Sequence, residues 1–175
     1  LKEALKQGCL HIGQTEDCEI YVFGKGWIMW FDADSMPKEI KGELISLCGD
    51  LPNPGYAYKA FESGDHQMEL LQTDKIPAAD SRFKSYNASS FYILRHPMLG
   101  ISLWSPECKE MIVIDSRALG LITPDEKEIV AGPFRSGDYI CWKGEGRLFC
   151  TYSWPRGELD EETEKYLNAL EEGWF

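Results

Sequence analysis

The sequence predicts one α+β domain over residues 1–175, built on a curved, mostly antiparallel sheet of about eight strands. The chain has the length of one ordinary domain, and no linker or internal repeat divides it. Segments rich in β-branched and aromatic residues outnumber helical ones, and they do not alternate with helices as a doubly wound fold requires. Short turns containing Gly or Pro separate them, which indicates hairpins and a meander. A middle helix and a C-terminal amphipathic helix are expected to pack on the sheet.

The first two apolar segments predict a hairpin. They cover residues 18–24 and 26–31, and the loop Gly24-Lys25-Gly26 joins them. A turn centred on Lys25 sets Val22 opposite Ile28. Both faces of the hairpin are apolar in this register, which is typical of strands that are covered on two sides. We therefore expect the hairpin to be buried on both faces.

The middle helix is predicted over residues 37–48, where apolar side chains recur at helical spacing. Asp34 or Ser35 is the expected cap, because Asp and Ser side chains accept hydrogen bonds from the first helical N–H groups. A second hairpin is expected next, with strands over 56–62 and 67–72. The polar segment 73–87 has little periodicity, and we predict a loop there.

The second half of the chain predicts a meander followed by three more strands. Apolar segments and the turns between them place these strands at 91–96, 99–105, 111–116, 128–134, 138–143 and 147–154. A two-residue turn at Glu145-Gly146 sets Cys141 opposite Cys150, and directly opposed residues share one face of a sheet. We therefore predict that the Cys141 and Cys150 sulfur atoms are neighbours, whatever their redox state.

An apolar face and an acidic first turn predict the C-terminal helix. The face consists of Leu159, Tyr166, Leu167, Leu170 and Trp174. Acids crowd the start of the helix, where the positive end of its dipole favours them. From residue 158 onward there are seven acids and one Lys, so this segment carries −6 of the net charge of −11. The predicted partner-binding residues lie in it: Glu158, Asp160, Glu161, Glu162, Glu164, Glu171, Glu172 and Trp174.

Charge and aromatic content narrow the classes of function. The net charge of −11 repels nucleic-acid phosphates and anionic membrane surfaces, so neither is an expected partner. The same charge complements a basic protein, and an aromatic content of 13% supplies side chains that are typical of protein interfaces. Recognisable catalytic motifs are lacking, which favours binding over catalysis. We therefore expect a protein-binding module, specifically an inhibitor or immunity protein that neutralises a basic toxin enzyme.

One alternative is a metal-dependent hydrolase that uses Asp32 and Asp34. Two acids at alternate positions directly after an apolar strand can share Mg²⁺, and one of them can attack phosphorus. Segment 28–35 resembles the opening motif of haloacid-dehalogenase-type phosphatases. That resemblance implies a parallel sheet, a later lysine and a second acidic pair, and the sequence contains no convincing second pair. The simpler interpretation is a turn at the end of a strand, before the next helix.

The six cysteines are irregularly spaced, without a Cys-x-x-Cys pair. Cys9, His11 and Cys18 could supply three metal ligands, but a buried thiol and a strand histidine are the preferred interpretation, and no metal or cofactor is expected. Free thiols favour a cytoplasmic location. The first residue is Leu1 and not Met, so a removed leader is also compatible with the sequence. A second alternative function is a small-ligand or sugar binder that uses surface aromatics.

Overall fold

The computed structural model describes residues 1–6, 8–72, 92–96, 100–105, 110–114, 120–121, 131–155 and 165. Within these residues lie the helices α1 (Lys2–Leu5) and α2 (Lys38–Cys48). The first five strands are β1 (Leu10–Gln14), β2 (Ile20–Gly24), β3 (Trp27–Phe31), β4 (Tyr56–Ala60) and β5 (His66–Leu70). The other six are β6 (Tyr92–His96), β7 (Gly100–Ser105), β8 (Glu110–Ile114), β9 (Ala131–Ser136), β10 (Tyr139–Gly144) and β11 (Arg147–Pro155).

The strands form one sheet, and every pairing in the described part of the chain is antiparallel. Nine strands follow the order β5-β4-β1-β2-β3-β11-β8-β7-β6, and β10 and β9 extend from β11. The nine-residue strand β11 makes this branch possible, because its first half pairs with β3 and β10 and its end pairs with β8. The predicted antiparallel α+β sheet with a middle helix is confirmed.

The strand count differs from the prediction of about eight. The described residues contain eleven strands, and β1 is the strand whose bounds were not predicted from the sequence. Its five residues include only two large apolar side chains, which is too few to establish a period of two. The structure nevertheless places β1 between β2 and β4, so it joins the two predicted hairpins.

The register predicted for the β2–β3 hairpin is wrong by one residue. Val22 pairs with Met29 rather than with Ile28, and Gly24 pairs with Trp27. The loop is therefore the two residues Lys25 and Gly26. Gly26 has a φ of +79°, a conformation that glycine adopts without steric cost, so the chain reverses in two residues.

The sheet is covered on both faces at its centre. A large cluster on one face, here called the main core, includes buried residues of β1–β3 together with Leu44 and Cys48 of α2. The members from the three strands are Leu10, Ile12, Ile20, Val22, Trp27, Met29 and Phe31. A smaller cluster on the other face consists of Tyr21, Ile28, Cys141, Leu148 and Cys150. The expectation that the β2–β3 hairpin is buried on both faces is confirmed.

The start of α2 corrects the predicted cap. Pro37 is the N-cap residue and provides no side-chain hydrogen bond, so neither Asp34 nor Ser35 caps this helix. Pro37 lies outside the helical conformation, with a ψ of 138°, and Lys38 is the first helical residue. The turn before it is closed by a hydrogen bond from the Ser35 N–H to the Asp32 carbonyl. No helix in the described part of the chain is long and apolar enough to cross a membrane.

Two sequence predictions lie outside the described residues. The first is the loop at 73–87. The second is the C-terminal helix from residue 158 onward with its acidic residues; in this segment the structure describes only Lys165. Both stay predictions.

Candidate functional site

The most exposed large apolar side chains in the described structure lie on the hairpin formed by β4 and β5, here called the edge hairpin. Met68 is 61% exposed and Leu70 is 66% exposed, and Tyr56 on the neighbouring strand is 38% exposed. All five residues of β5 are exposed. Exposed apolar side chains that lie next to one another indicate a binding surface more strongly than isolated ones, because contiguous apolar patches often mark interaction sites.

The register of the edge hairpin explains why these side chains meet. Tyr56 is directly opposite Leu70, and Tyr58 is directly opposite Met68. Opposed side chains share a face of the sheet, so all four lie on the face that carries the main core. Tyr58 packs against that core, whereas Tyr56, Met68 and Leu70 extend beyond it into solvent. The apolar face of the sheet therefore continues past the part that the described core covers.

Three exposed carboxylates belong to the same hairpin: Glu62, Asp65 and Glu69. Asp65 is held in the turn, where its Oδ2 accepts a hydrogen bond of 2.9 Å from the Ser63 hydroxyl. Glu62 and Asp65 at the turn supply polar groups next to the apolar patch, as in protein interfaces with an apolar centre and a polar rim, whereas Glu69 lies on the opposite face.

The opposite face of the sheet, beside the edge hairpin, brings Cys9, His11 and Glu69 together. The Cys9 Sγ lies 3.4 Å from His11 Nε2, and His11 Nδ1 lies 3.5 Å from Glu69 Oε1. Cys9 directly precedes β1 and His11 lies on it, so alternation along the strand places both side chains on one face. Glu69 reaches the same face from β5, two strands away.

The His11 imidazole is held on several sides. It stacks on the ring of Phe23, which is its cross-strand partner, with ring centroids 4.7 Å apart and planes 6° apart. Burial lowers the pKa of His11 from its ordinary value of 6.5, and the nearby Lys59 acts in the same direction. The Glu69 carboxylate opposes both effects without reversing them. The ring is therefore predominantly neutral at neutral pH.

A cleft of about 260 Å³ opens beside this histidine. Its lining combines the imidazole and a carboxylate with apolar groups: His11, Phe23, Ala57, Glu69, Leu70, Leu71 and Gln72. Leu71 lies directly over Gly13, where a Cβ atom would overlap its Cδ1. The absence of a side chain at Gly13 therefore allows Leu71 to form one wall of the cleft.

The remaining predicted site residues lie elsewhere. Asp32 and Asp34 are exposed in the turn between β3 and α2, and the Asp32 Oδ1 accepts a hydrogen bond of 2.8 Å from the Ala33 N–H. Among the described residues, no group of three His, Cys, Asp or Glu side chains is arranged to hold a metal ion. The hydrolase and sugar-binding functions stay predictions, and the predicted partner-binding residues from 158 onward lie outside the described residues.

The predicted neighbours Cys141 and Cys150 are confirmed. They are directly opposed in the β10–β11 register, both are fully buried, and their sulfur atoms are 2.7 Å apart in a thiol–thiol contact. Contact with Cys141, together with burial, raises the pKa of the Cys150 thiol far above its ordinary value. Both thiols belong to the smaller buried cluster of the sheet and not to the surface.

The sequence predicts a buried thiol and a strand histidine at Cys9 and His11, with metal ligation as the alternative, and neither interpretation includes the contact between them. His11 does lie on a strand, whereas Cys9 is only partly buried. The available signal was the Cys-x-His spacing on a short strand, which places the two side chains on one face. Glu69 had no such signal, because a separation of 58 positions from His11 is bridged only when β4 pairs with both β1 and β5.

Comparisons with known proteins identify no family. No family model matches the chain, and no curated protein matches it. Among solved structures, the DNA polymerase III beta chain from Streptococcus pneumoniae TIGR4 is similar with a TM-score of 0.38 and 12% sequence identity. The match covers 93% of this chain and 64% of that one. A similarity this low carries no argument about fold or function.

Proposed function

We propose that this chain is an acidic protein-binding module, and specifically an immunity-type inhibitor that neutralises a basic toxin enzyme through its edge hairpin. The observation that carries the proposal is the exposed apolar group Tyr56, Met68 and Leu70, which shares its hairpin with three exposed carboxylates. Apolar and aromatic side chains that become buried on binding supply most of the affinity of a protein interface.

The position of β5 supports this surface. β5 is the terminal strand of the sheet order, and within the described residues it pairs only with β4. An edge strand offers backbone hydrogen-bonding groups to a partner, in addition to its side chains. Gln67 and Glu69 point to the opposite face from Met68 and Leu70, so the two sets of side chains can be tested separately.

Charge determines the expected chemistry of the partner. The chain has a net charge of −11, and the edge hairpin carries Glu62 and Asp65 at its turn and Glu69 on the face opposite to the apolar group. A positively charged partner is attracted by this field, which accelerates association at low ionic strength. The acidic segment from residue 158 onward contributes −6 to the same field. We therefore expect a basic protein rather than a nucleic acid or an anionic membrane.

The test begins with the protein encoded directly upstream of this chain's gene. If the proposal is correct, that protein is basic, arrests growth when expressed alone, and ceases to do so when this chain is co-expressed. A neighbouring gene product that is not toxic, or a toxin that this chain neither binds nor neutralises, would contradict the immunity function.

The interface is tested by calorimetric titration of the same pair. Met68→Ser and Leu70→Ser together should weaken binding by about 10- to 100-fold, which corresponds to the loss of one or two hot-spot side chains. Gln67→Ser is the matched control, because it is exposed on the opposite face of the same strand, and it should leave affinity unchanged. Equal affinity of the double variant and the control would place the interface elsewhere.

The acidic segment has its own test. Reversing Glu161, Glu162 and Glu164 to Lys should slow association with the basic partner and flatten its dependence on salt concentration. Stopped-flow association rates at several NaCl concentrations measure both effects. An unchanged rate would exclude this segment from the encounter with the partner.

A further inference from the structure

The contact between Cys9 and His11 bears on the reactivity of the Cys9 thiol, which the proposed protein-binding function does not involve. An imidazole nitrogen 3.4 Å from a thiol can accept its proton, and the thiolate is the nucleophilic form of cysteine. Cys9 is only partly buried. His11 is likewise partly buried, with a side chain 25% exposed.

The two nitrogen atoms of His11 have different partners. Nδ1 faces the Glu69 carboxylate, which is an acceptor, so the ring proton belongs on Nδ1. Nε2 then presents its lone pair toward the Cys9 sulfur. This arrangement gives each of the three groups one function: a nucleophile, a base beside it, and a carboxylate that orients the base.

A cleft borders His11 and Glu69, and Cys9 lies outside its lining, on the other side of the imidazole, with its sulfur 3.4 Å from Nε2. The volume of the cleft is about 260 Å³, and the side chains of Phe23 and Leu71 contribute apolar walls. This is below the roughly 300–1,000 Å³ of sites that enclose drug-sized ligands, so a short apolar group fits best. The negative charge of the chain further disfavours an anionic substrate.

We propose that Cys9 is a nucleophilic thiol that accepts an acyl group from a small, uncharged, apolar ester or thioester, with His11 as its base and Glu69 as a positioning residue. This activity is independent of the proposed protein-binding function. The residues that would carry it lie on the face of the sheet opposite to Met68. The reaction requires no metal, oxidant or reductant.

The reaction divides into two balanced steps. In the first, His11 Nε2 takes the thiol proton, the Cys9 sulfur forms a bond to the carbonyl carbon, and the ester C–O bond breaks. The leaving alcohol takes the proton from Nε2. In the second, water gives a proton to Nε2 and its oxygen bonds to the same carbon. The C–S bond breaks, the carboxylic acid is released, and Cys9 recovers its proton.

The chain contains a suitable internal control. Cys18 is also partly buried, and the described structure shows no histidine contact for it. Cys48 is buried, and its burial raises the pKa of its thiol, so it should react slowly. A difference between Cys9 and Cys18 therefore reports on His11 rather than on access alone.

The first experiment measures alkylation of each cysteine by iodoacetamide, with peptide mass spectrometry, between pH 5.5 and 9. Near pH 7 Cys9 should react at least about tenfold faster than Cys18, as expected when a neighbouring imidazole takes the thiol proton during the attack. His11→Gln should reduce the Cys9 rate to that of Cys18 and leave the Cys18 rate unchanged. Equal rates of Cys9 and Cys18 in the wild-type protein would overturn the proposal.

The second experiment uses p-nitrophenyl acetate and p-nitrophenyl butyrate as acyl donors. A burst of one nitrophenolate per chain and an acyl group on the Cys9 peptide are expected. Cys9→Ser should abolish both, and Cys18→Ser should change neither. Glu69→Gln should lower kcat and shift its pH profile with little change in KM, because Glu69 acts through His11. Hydrolysis that survives Cys9→Ser without a burst would show adventitious surface catalysis and overturn the proposal.

The experiments can refute the acyl-transfer activity and the protein-binding function independently of each other. Met68→Ser should leave Cys9 alkylation and the acyl burst unchanged, because its side chain lies on the other face of β5. Cys9→Ser should leave binding of the toxin unchanged. A Cys9 substitution that weakens toxin binding to the same extent as the Met68 and Leu70 pair would show that the thiol belongs to the interface, and would overturn its independent function.

Discussion

The centre and the edge of this sheet are built from similar residues but differ in what covers them. At the centre, β2 and β3 have apolar side chains on both faces, and almost all of them are buried. At the edge, β5 also carries Met and Leu, yet each of its residues is exposed. The difference teaches that composition alone does not define the core. The number of strands and helices packed around a position decides whether an apolar side chain stabilises the fold or remains available for binding.

The largest effect is expected when the same substitution is made in both regions. Met29 at the centre is 4% exposed and Met68 at the edge is 61% exposed. Met29→Ala should lower the free energy of unfolding by about 2–5 kcal/mol, because it removes buried apolar atoms and leaves a cavity. Met68→Ala should change it by less than about 0.5 kcal/mol. Urea denaturation measures both changes in unfolding free energy. Equal losses for Met29→Ala and Met68→Ala would contradict the difference in burial between the centre and the edge of the sheet.

An effect of intermediate size is expected from oxidation of the sheet interior. Cys141 and Cys150 are opposed and in contact, so 141–150 should be the preferred link within the chain when diamide oxidation is followed by peptide mapping, although burial and the raised pKa of the Cys150 thiol slow its formation. The resulting bridge closes a short loop and should stabilise the chain by on the order of 2 kcal/mol. Cys150→Ser should prevent the link. A preferred link from either cysteine to Cys9, Cys18 or Cys48 would contradict the β10–β11 register.

The smallest effect is expected on the pH dependence of stability when His11, which lies beside the edge hairpin, is replaced. Burial lowers its pKa below 6.5, so the folded state favours the neutral ring. The associated stability is fully present above about pH 6.5 and is lost as the pH falls through the lowered pKa. His11→Gln should therefore reduce the difference in unfolding free energy between pH 8 and pH 5. Denaturation curves at the two pH values test this, and an unchanged difference would mean that burial does not affect the titration.

Local signals predicted the hairpins well, with one instructive error. The two-residue turn at Glu145-Gly146 gave the correct β10–β11 register, including the Cys141–Cys150 pair. Gly24 and Gly26 lie on either side of Lys25 between the two apolar segments, so the sequence allowed two turn lengths. The structure uses the shorter one, with Gly26 at positive φ. A difference of one residue changes every cross-strand pair, which is why register is harder to predict than the presence of a strand.

Local signals in the sequence are sufficient to predict the antiparallel α+β character, the middle helix, the acidic charge and the pairing of Cys141 with Cys150. These follow from periodicity, turn chemistry and composition, which act over a few residues. The pairing of distant strands places Glu69 beside His11, makes β5 the terminal strand in the order of the described strands, and leaves Met68 exposed while Met29 is buried. Each of these depends on which distant strands pair, and strand order is determined by how the whole chain buries its apolar surface rather than by any local signal.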